Sequence, residues 1–141
     1  MEFHENTVRK LAHFKKEKGY AVFCPAGEVS FYEMAELVSC AVVLCRRQKI
    51  KKLLIDSTEL HGFKTPGISE RYNLAERMAQ EAASLVKIAH VASPEWVRSG
   101  EFGMEVARNR GLDAKNFNSE SEALNWLLKE QGRQPRSTTQ R

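Results

Sequence analysis

The sequence contains no long hydrophobic run. The longest apolar stretch, residues 40–45, is far shorter than the roughly 18 residues of a membrane-spanning helix, so we expect no membrane span. Residues 1–10 include acidic side chains and no apolar segment, which disfavours a secretory signal. These two absences predict a cytoplasmic protein.

Cysteine is also scarce. The three cysteines, Cys24, Cys40 and Cys45, are odd in number and lie within apolar patterns. This usage predicts reduced, mostly buried thiols and excludes a disulfide-stapled secreted domain. Histidine ligands for zinc are missing too, because no second histidine stands at ligand spacing from His61. We therefore expect no metal and no cofactor.

Acidic residues are absent from the last part of the chain. The formal net charge is +4, but Arg133, Arg136 and Arg141 in residues 131–141 carry three of these charges. Without that segment the chain is close to neutral, which disfavours a nucleic-acid partner. Length and composition predict one domain over residues 1–130, followed by a disordered, polar and basic tail over residues 131–141.

Hydrophobic patterning predicts an α/β fold. Strands are predicted at residues 7–15, 19–24, 53–56, 86–92 and 113–117, and helices begin near Ser30, Pro66, Trp96 and Ser119. Ser30 and Glu33 have the spacing of a capping box. The order β-β-α-β-α-β-α-β-α predicts a single mixed, mostly parallel sheet with an N-terminal antiparallel hairpin and about four helices.

The segment 51–78 is the best candidate for a functional site. A buried strand ends in Asp56, Ser57 and Thr58, and a helix is predicted to open after Thr65. Ligands of open α/β sheets bind at the carboxyl ends of strands, and helix N-termini accept phosphate groups. These four residues are therefore candidates for a recognition edge, with Thr65 as a candidate phosphorylation site. Simple N-capping by Thr65 explains the same pattern.

Four short segments of the sequence, by their order and spacing, resemble the bacterial STAS-like family, which is related to sporulation anti-sigma-factor antagonists. The segments that carry the resemblance are 53–56, 87–92, 107–112 and 122–127. That family shares its superfamily with lipid-binding domains of the Sec14 (CRAL-TRIO) type. The resemblance implies a STAS-like fold over most of residues 8–128.

The resemblance also implies a function. STAS antagonists bind a partner kinase or sigma-factor regulator, and phosphorylation of a serine or threonine at the helix start switches that binding. Thr65 stands roughly at this position, although Pro66 replaces the residue beside the phosphoacceptor. We therefore expect a non-catalytic binding or regulatory domain with a protein partner. Whether it forms a homodimer is left open.

The kinship with Sec14 domains implies an alternative, a carrier of a small molecule or a lipid. Tyr72, Trp96 and Phe102 are the candidates for lining its pocket, although ordinary core packing explains them equally well. A catalytic role is the third reading, because Asp56 and Ser57 stand close to His61 in sequence. Motifs of enzymes are missing from this segment, so we expect no enzyme.

Overall fold

The computed structural model describes residues 13–62, 64 and 66–129. Seven strands lie in this part of the chain: β1 (Phe14–Glu17), β2 (Tyr20–Phe23), β3 (Ala26–Glu28), β4 (Lys52–Asp56), β5 (Glu59–His61), β6 (Lys87–Val91) and β7 (Ala114–Phe117). Residues 7–12 of the predicted first strand, Thr65 and the predicted tail, 131–141, lie outside the described residues.

Five of the strands form the main sheet, in the order β1-β2-β4-β6-β7. β1 and β2 pair antiparallel, and the other pairs are parallel. Parallel neighbours need a long crossover between them, and here each crossover contains a helix. The predicted fold class, a mixed and mostly parallel α/β sheet with an N-terminal hairpin, is confirmed.

Five helices are described: α1 (Phe31–Arg47), α2 (Ile68–Ala82), α3 (Pro94–Ser99), α4 (Glu101–Asn109) and α5 (Glu120–Leu128). Helix α1 begins at the capping box that the sequence predicts. The Ser30 hydroxyl accepts from the Glu33 N–H at 3.1 Å, and the Glu33 carboxylate accepts from the Ser30 N–H at 2.9 Å. No helix in the described part of the chain is long and apolar enough to cross a bilayer.

The helices cover the two faces of the sheet unequally. Side chains of β4 and β6 alternate between the faces, as the pleat of a strand requires. On one face, Leu53, Ile55 and Ile88 belong to a core that includes residues of α1, α2 and α4. On the other face, Leu54 and Ala89 pack against α5. The larger layer, with three long helices, has the room for a cavity.

Three predicted boundaries are wrong. The first strand, predicted over residues 7–15, extends from Phe14 to Glu17, and His13 before it is in a 3₁₀ segment. Helix α2 is capped by Gly67, whose N–H donates to the Glu70 carboxylate at 2.9 Å, so Pro66 is not its first residue. The single helix predicted between Trp96 and Gly111 is split at Gly100 into α3 and α4.

A second, two-stranded sheet was not predicted from the sequence. Strands β3 and β5 pair in parallel, and the Val29 N–H donates to the His61 carbonyl at 2.8 Å. Both strands are only three residues long, which is too short for a pattern of polar and apolar residues to mark them. This pairing ties the segment after β2 to the segment after β4, beside the carboxyl edge of the main sheet.

Candidate functional site

A cavity of about 270 Å³ lies between the main sheet and the layer formed by α1, α2 and α4. Its floor includes Ile55, Ile88 and Ala114 from β4, β6 and β7. Thr58 and Ser93, which follow β4 and β6, line it and are exposed, so the cavity reaches solvent at the carboxyl ends of these strands. This is the place where open α/β sheets usually bind ligands.

Most of the cavity wall is apolar. Helix α1 contributes Phe31, Met34 and Val38, while α2 contributes Leu74, Ala75 and Met78, and α4 contributes Met104 and Ala107. The polar lining residues are Ser57, Thr58, Arg71, His90, Ser93 and Asn116. A mainly apolar cavity with a few convergent polar groups is the usual form of a small-molecule site.

Three of the polar side chains form a hydrogen-bonded chain on the floor of the cavity. Oγ of Ser57 lies 2.6 Å from Nε2 of His90, and Nδ1 of His90 lies 3.0 Å from Oδ1 of Asn116. The sheet register produces this arrangement. His90 pairs with Ile55 on one side and with Asn116 on the other, and Ser57 is two residues beyond Ile55 on the same face.

The surroundings of His90 favour its neutral form. Burial lowers the pKa of His90, against the smaller opposing effects of the Asn116 hydrogen bond and of the Asp56 charge. Arg71 adds a positive charge to the cavity wall, and its Nε donates to the Gly67 carbonyl at 3.4 Å. The site therefore combines a neutral imidazole, a hydroxyl, an amide and a guanidinium with an apolar body.

Asp56 and Ser57, predicted to share one recognition edge, lie on opposite faces of the sheet. Ser57 lines the cavity, whereas Asp56 is near Cys24 and Glu120 on the side of α5. Oδ1 of Asp56 accepts from both the N–H and the hydroxyl of Thr58, at 3.0 and 2.6 Å. Asp56 thus caps the loop that follows β4.

Ligand atoms of Cys24, Asp56 and Glu120 lie within 4.8 Å of one another. Burial and a hydrogen bond to Asp56 raise the pKa of the Glu120 carboxyl, and burial raises that of the Cys24 thiol.

One of the three predicted pocket residues lines the cavity. Trp96, in α3, lines the wall. The Tyr72 hydroxyl instead accepts from Nη2 of Arg110 at 2.6 Å, and Phe102 is 44% exposed at the start of α4. Thr65, the predicted modification site, lies outside the described residues, so phosphorylation there stays a prediction.

His90 and Asn116 were not among the site residues predicted from the sequence. One signal was available for His90, since it interrupts the apolar run of residues 88–92, IAHVA, at a position that alternates with Ile88 and faces the core. No local pattern marks Asn116. Only the pairing of β6 with β7 makes it a neighbour of His90.

Comparisons with known proteins give little beyond the fold. No family model matches the chain, and the search of curated proteins finds no match. One similar solved structure is that of an uncharacterized protein of the DUF3478 family with a SpoIIAA-like fold, from Shewanella loihica PV-4. It is 21% identical, with a TM-score of 0.46, and the similarity covers 81% of this chain and 90% of that one. The link to Sec14 domains stays an expectation.

Proposed function

We propose that this chain is a binding domain for a small molecule with an apolar body and one polar head group. The observation that carries the proposal is the cavity of about 270 Å³, which is lined mainly by aliphatic, aromatic and methionine side chains. Its polar groups converge on the floor at Ser57, His90 and Asn116. An apolar body would occupy the wall between the helices, and the head group would meet these side chains.

The position of the cavity supports the same proposal. Its lining includes exposed residues at the carboxyl ends of β4 and β6, which offer a route for a ligand to enter. Met78 and Met104 on the wall are flexible and polarizable, so they adapt to ligands of different shape. Arg71 adds a positive charge, which favours a head group that is anionic or carries a carbonyl oxygen.

Separate titrations with decanoate and with decanol, measured by isothermal titration calorimetry, test the proposal. We expect binding, with a negative heat-capacity change because apolar surface is buried. Met104→Trp, which adds volume to the cavity wall, should weaken binding at least tenfold. Leu124→Trp is the matched control, because Leu124 is half-buried on α5 and packs against the other face of the sheet. Equal binding by both variants and the wild type would contradict the proposal, as would the absence of any binding.

A second candidate is a regulatory domain that binds a protein partner, the function that the STAS-like resemblance implies. Exposed apolar side chains favour it. Tyr32, Ile68 and Phe102 are 72%, 65% and 44% exposed. They lie in the first turns of α1, α2 and α4, and helices that follow parallel strands begin near the carboxyl edge of the sheet. Such residues are typical of surfaces that bind other proteins.

Capture of a kinase or sigma-factor regulator in a pull-down separates the two candidates. Ile68→Glu should abolish capture if this edge binds a partner. Leu85→Glu is the control, because Leu85 is 60% exposed but follows α2 at the opposite edge of the sheet. Thr65→Ala and Thr65→Glu should differ in capture if phosphorylation switches the domain, and identical capture by both would end the switch hypothesis.

A further inference from the structure

The bonds around His90 determine which of its nitrogens carries the proton. Oδ1 of Asn116 is a carbonyl oxygen and can only accept, so Nδ1 of His90 is the donor across the 3.0 Å contact. In the neutral ring the other nitrogen, Nε2, then has a free electron pair. It lies 2.6 Å from Oγ of Ser57 and accepts the hydroxyl proton.

A second acceptor near Ser57 is weaker. The carbonyl of Val91 lies 3.4 Å from the Ser57 oxygen, a distance at the limit of hydrogen bonding. A hydroxyl has a single proton, and the 2.6 Å contact to His90 holds it. The order Ser57, His90, Asn116 is therefore hydroxyl, base and orienting amide, which is the relation of an activated nucleophile to its base.

We propose that Ser57 is a nucleophile that accepts an acyl group from an ester or thioester held in the cavity. His90 is the base that takes the Ser57 proton, and Asn116 positions His90. The inference rests on the proposed function, since the cavity has to bind the apolar acyl chain. It goes further, because it assigns a covalent step to one side chain.

With an ester, Oγ of Ser57 forms a bond to the acyl carbon while its proton passes to Nε2 of His90. The bond from the acyl carbon to the alcohol oxygen then breaks, and the electron pair leaves with that oxygen. His90 returns the proton to the departing alcohol, so that the imidazole is neutral again and Ser57 carries the acyl group. A thioester reacts in the same way and releases a thiol.

The environment of the three residues suits this step. Burial lowers the pKa of His90, so the imidazole is neutral and able to act as a base at neutral pH. Two charged groups lie near this site: Asp56, on the opposite face of the sheet, whose charge raises the pKa of His90, and Arg71, which lines the cavity. A positive charge beside an apolar cavity also stabilises the negative charge that develops on the acyl oxygen.

An alkyl fluorophosphonate tests the inference, because it reacts with activated serines. We expect the wild type to be labelled at Ser57, as identified by mass spectrometry of peptides, and Ser57→Ala to lose the label. Ser121→Ala is the control. Ser121 is an exposed hydroxyl on α5, over the other face of the sheet, and its Oγ lies 3.1 Å from Oγ of Ser119, so labelling should be unchanged. Labelling of Thr58 or of other hydroxyls at an equal rate would overturn the inference.

The pH dependence of labelling separates a positioning role of Asn116 from a merely structural one. His90→Gln should slow labelling by about 10²–10⁴-fold, the usual contribution of a general base. Asn116→Asp keeps an acceptor for Nδ1 but adds a charge, so it should keep labelling and move the midpoint of the pH profile upwards. An unchanged profile in Asn116→Asp would overturn the assignment of His90 as the base.

A separate assay distinguishes acyl transfer to Ser57 from ligand binding in the cavity. p-Nitrophenyl decanoate should release nitrophenol, either once per protein or repeatedly, and Ser57→Ala should release none. If the wild type binds decanoate but neither reacts with the fluorophosphonate nor releases nitrophenol, the inference fails and the proposed function stands. If decanoate does not bind, the proposed function itself fails.

Discussion

His90 and Asn116 are partners in the register of two adjacent parallel strands, and their side chains are joined by a hydrogen bond of 3.0 Å. A hydrogen-bonded pair of polar side chains at this point of the sheet is notable, because the register pair two residues earlier, Ile88 and Ala114, is apolar and buried. The polar pair lies where the strands leave the core and meet the cavity.

We expect acidification to destabilise the protein through His90. Burial lowers the pKa of His90 below its ordinary value of 6.5, so the unfolded chain binds the proton more readily than the folded one. Between pH 6.5 and the lower pKa of His90 in the folded state, the unfolded state binds more protons than the folded state. The free energy of unfolding therefore falls as the pH falls through this range. Urea unfolding between about pH 8 and about pH 5 measures this slope. His90→Gln should flatten it, whereas His61→Gln, at an exposed position, should not.

Lys87 is predicted to stabilise the end of α5. Its Nζ is buried, donates to the carbonyls of Trp126 and Leu127 at 2.8 and 3.3 Å, and lies 4.3 Å from the centre of the Trp126 ring. Lys87→Met removes the donor, so that the Trp126 carbonyl keeps only the 3.3 Å bond from the Lys129 N–H. We expect this to cost about 1–3 kcal/mol in the free energy of unfolding. Lys115→Met is the control, since Lys115 is exposed and only faces the Phe117 ring. A similar loss in both variants would refute the role of Lys87.

Arg77 joins α1 to α2. Its guanidinium donates to Glu36 at 2.9 Å and to Glu81 at 3.2 Å, and Glu81 also accepts from the hydroxyl of Ser39 at 2.5 Å. Because the Arg77 side chain is 39% exposed, solvent screens the ion pair, and a double-mutant cycle with Glu36→Gln should give a coupling of about 0.2–1 kcal/mol. The coupling should shrink at high salt. A coupling near zero at low salt would show that the contact contributes nothing.

Gly62 is predicted to resist substitution. Its φ of 101° lies in the left-handed region, and a Cβ there would be 2.5 Å from Cγ of Glu28 and 3.2 Å from the backbone of Val29. Gly19 provides the comparison, because its φ is 88° but nothing lies within 4 Å of its Cβ position. Gly19→Ala should cost about 1–2 kcal/mol from the backbone alone. Gly62→Ala should cost clearly more, as measured by thermal unfolding, and equal losses would argue against the steric effect.

Local patterns predicted the parts of the fold that local physics decides. The buried strand at 53–56 and the helix that begins at Ser30 follow from apolar periodicity and a capping box, both of which act over a few residues. The split at Gly100 and the cap at Gly67 depend on tertiary packing, so they were not predictable in this way.

The side chains on the cavity floor also depend on tertiary structure that local patterns do not predict. Ser57 was a candidate because it follows a buried strand. His90 and Asn116 were not candidates, because both are distant in sequence from their partners. His90 lies 33 positions after Ser57, and Asn116 lies 26 positions after His90. Without the order of strands in the sheet, nothing brings these side chains together.

The parallel order of β2, β4, β6 and β7 has a consequence for how fast the chain folds. Each of these pairings joins segments that are far apart in sequence, with a complete helix between them. A long loop has to close before any of these strand contacts forms, and the entropy of closure is lost first. The hairpin of β1 and β2 is the local exception, since its strands are joined by the turn at Lys18 and Gly19. Refolding should therefore be slower than for helical bundles of the same length, with the cavity floor among the last parts to assemble.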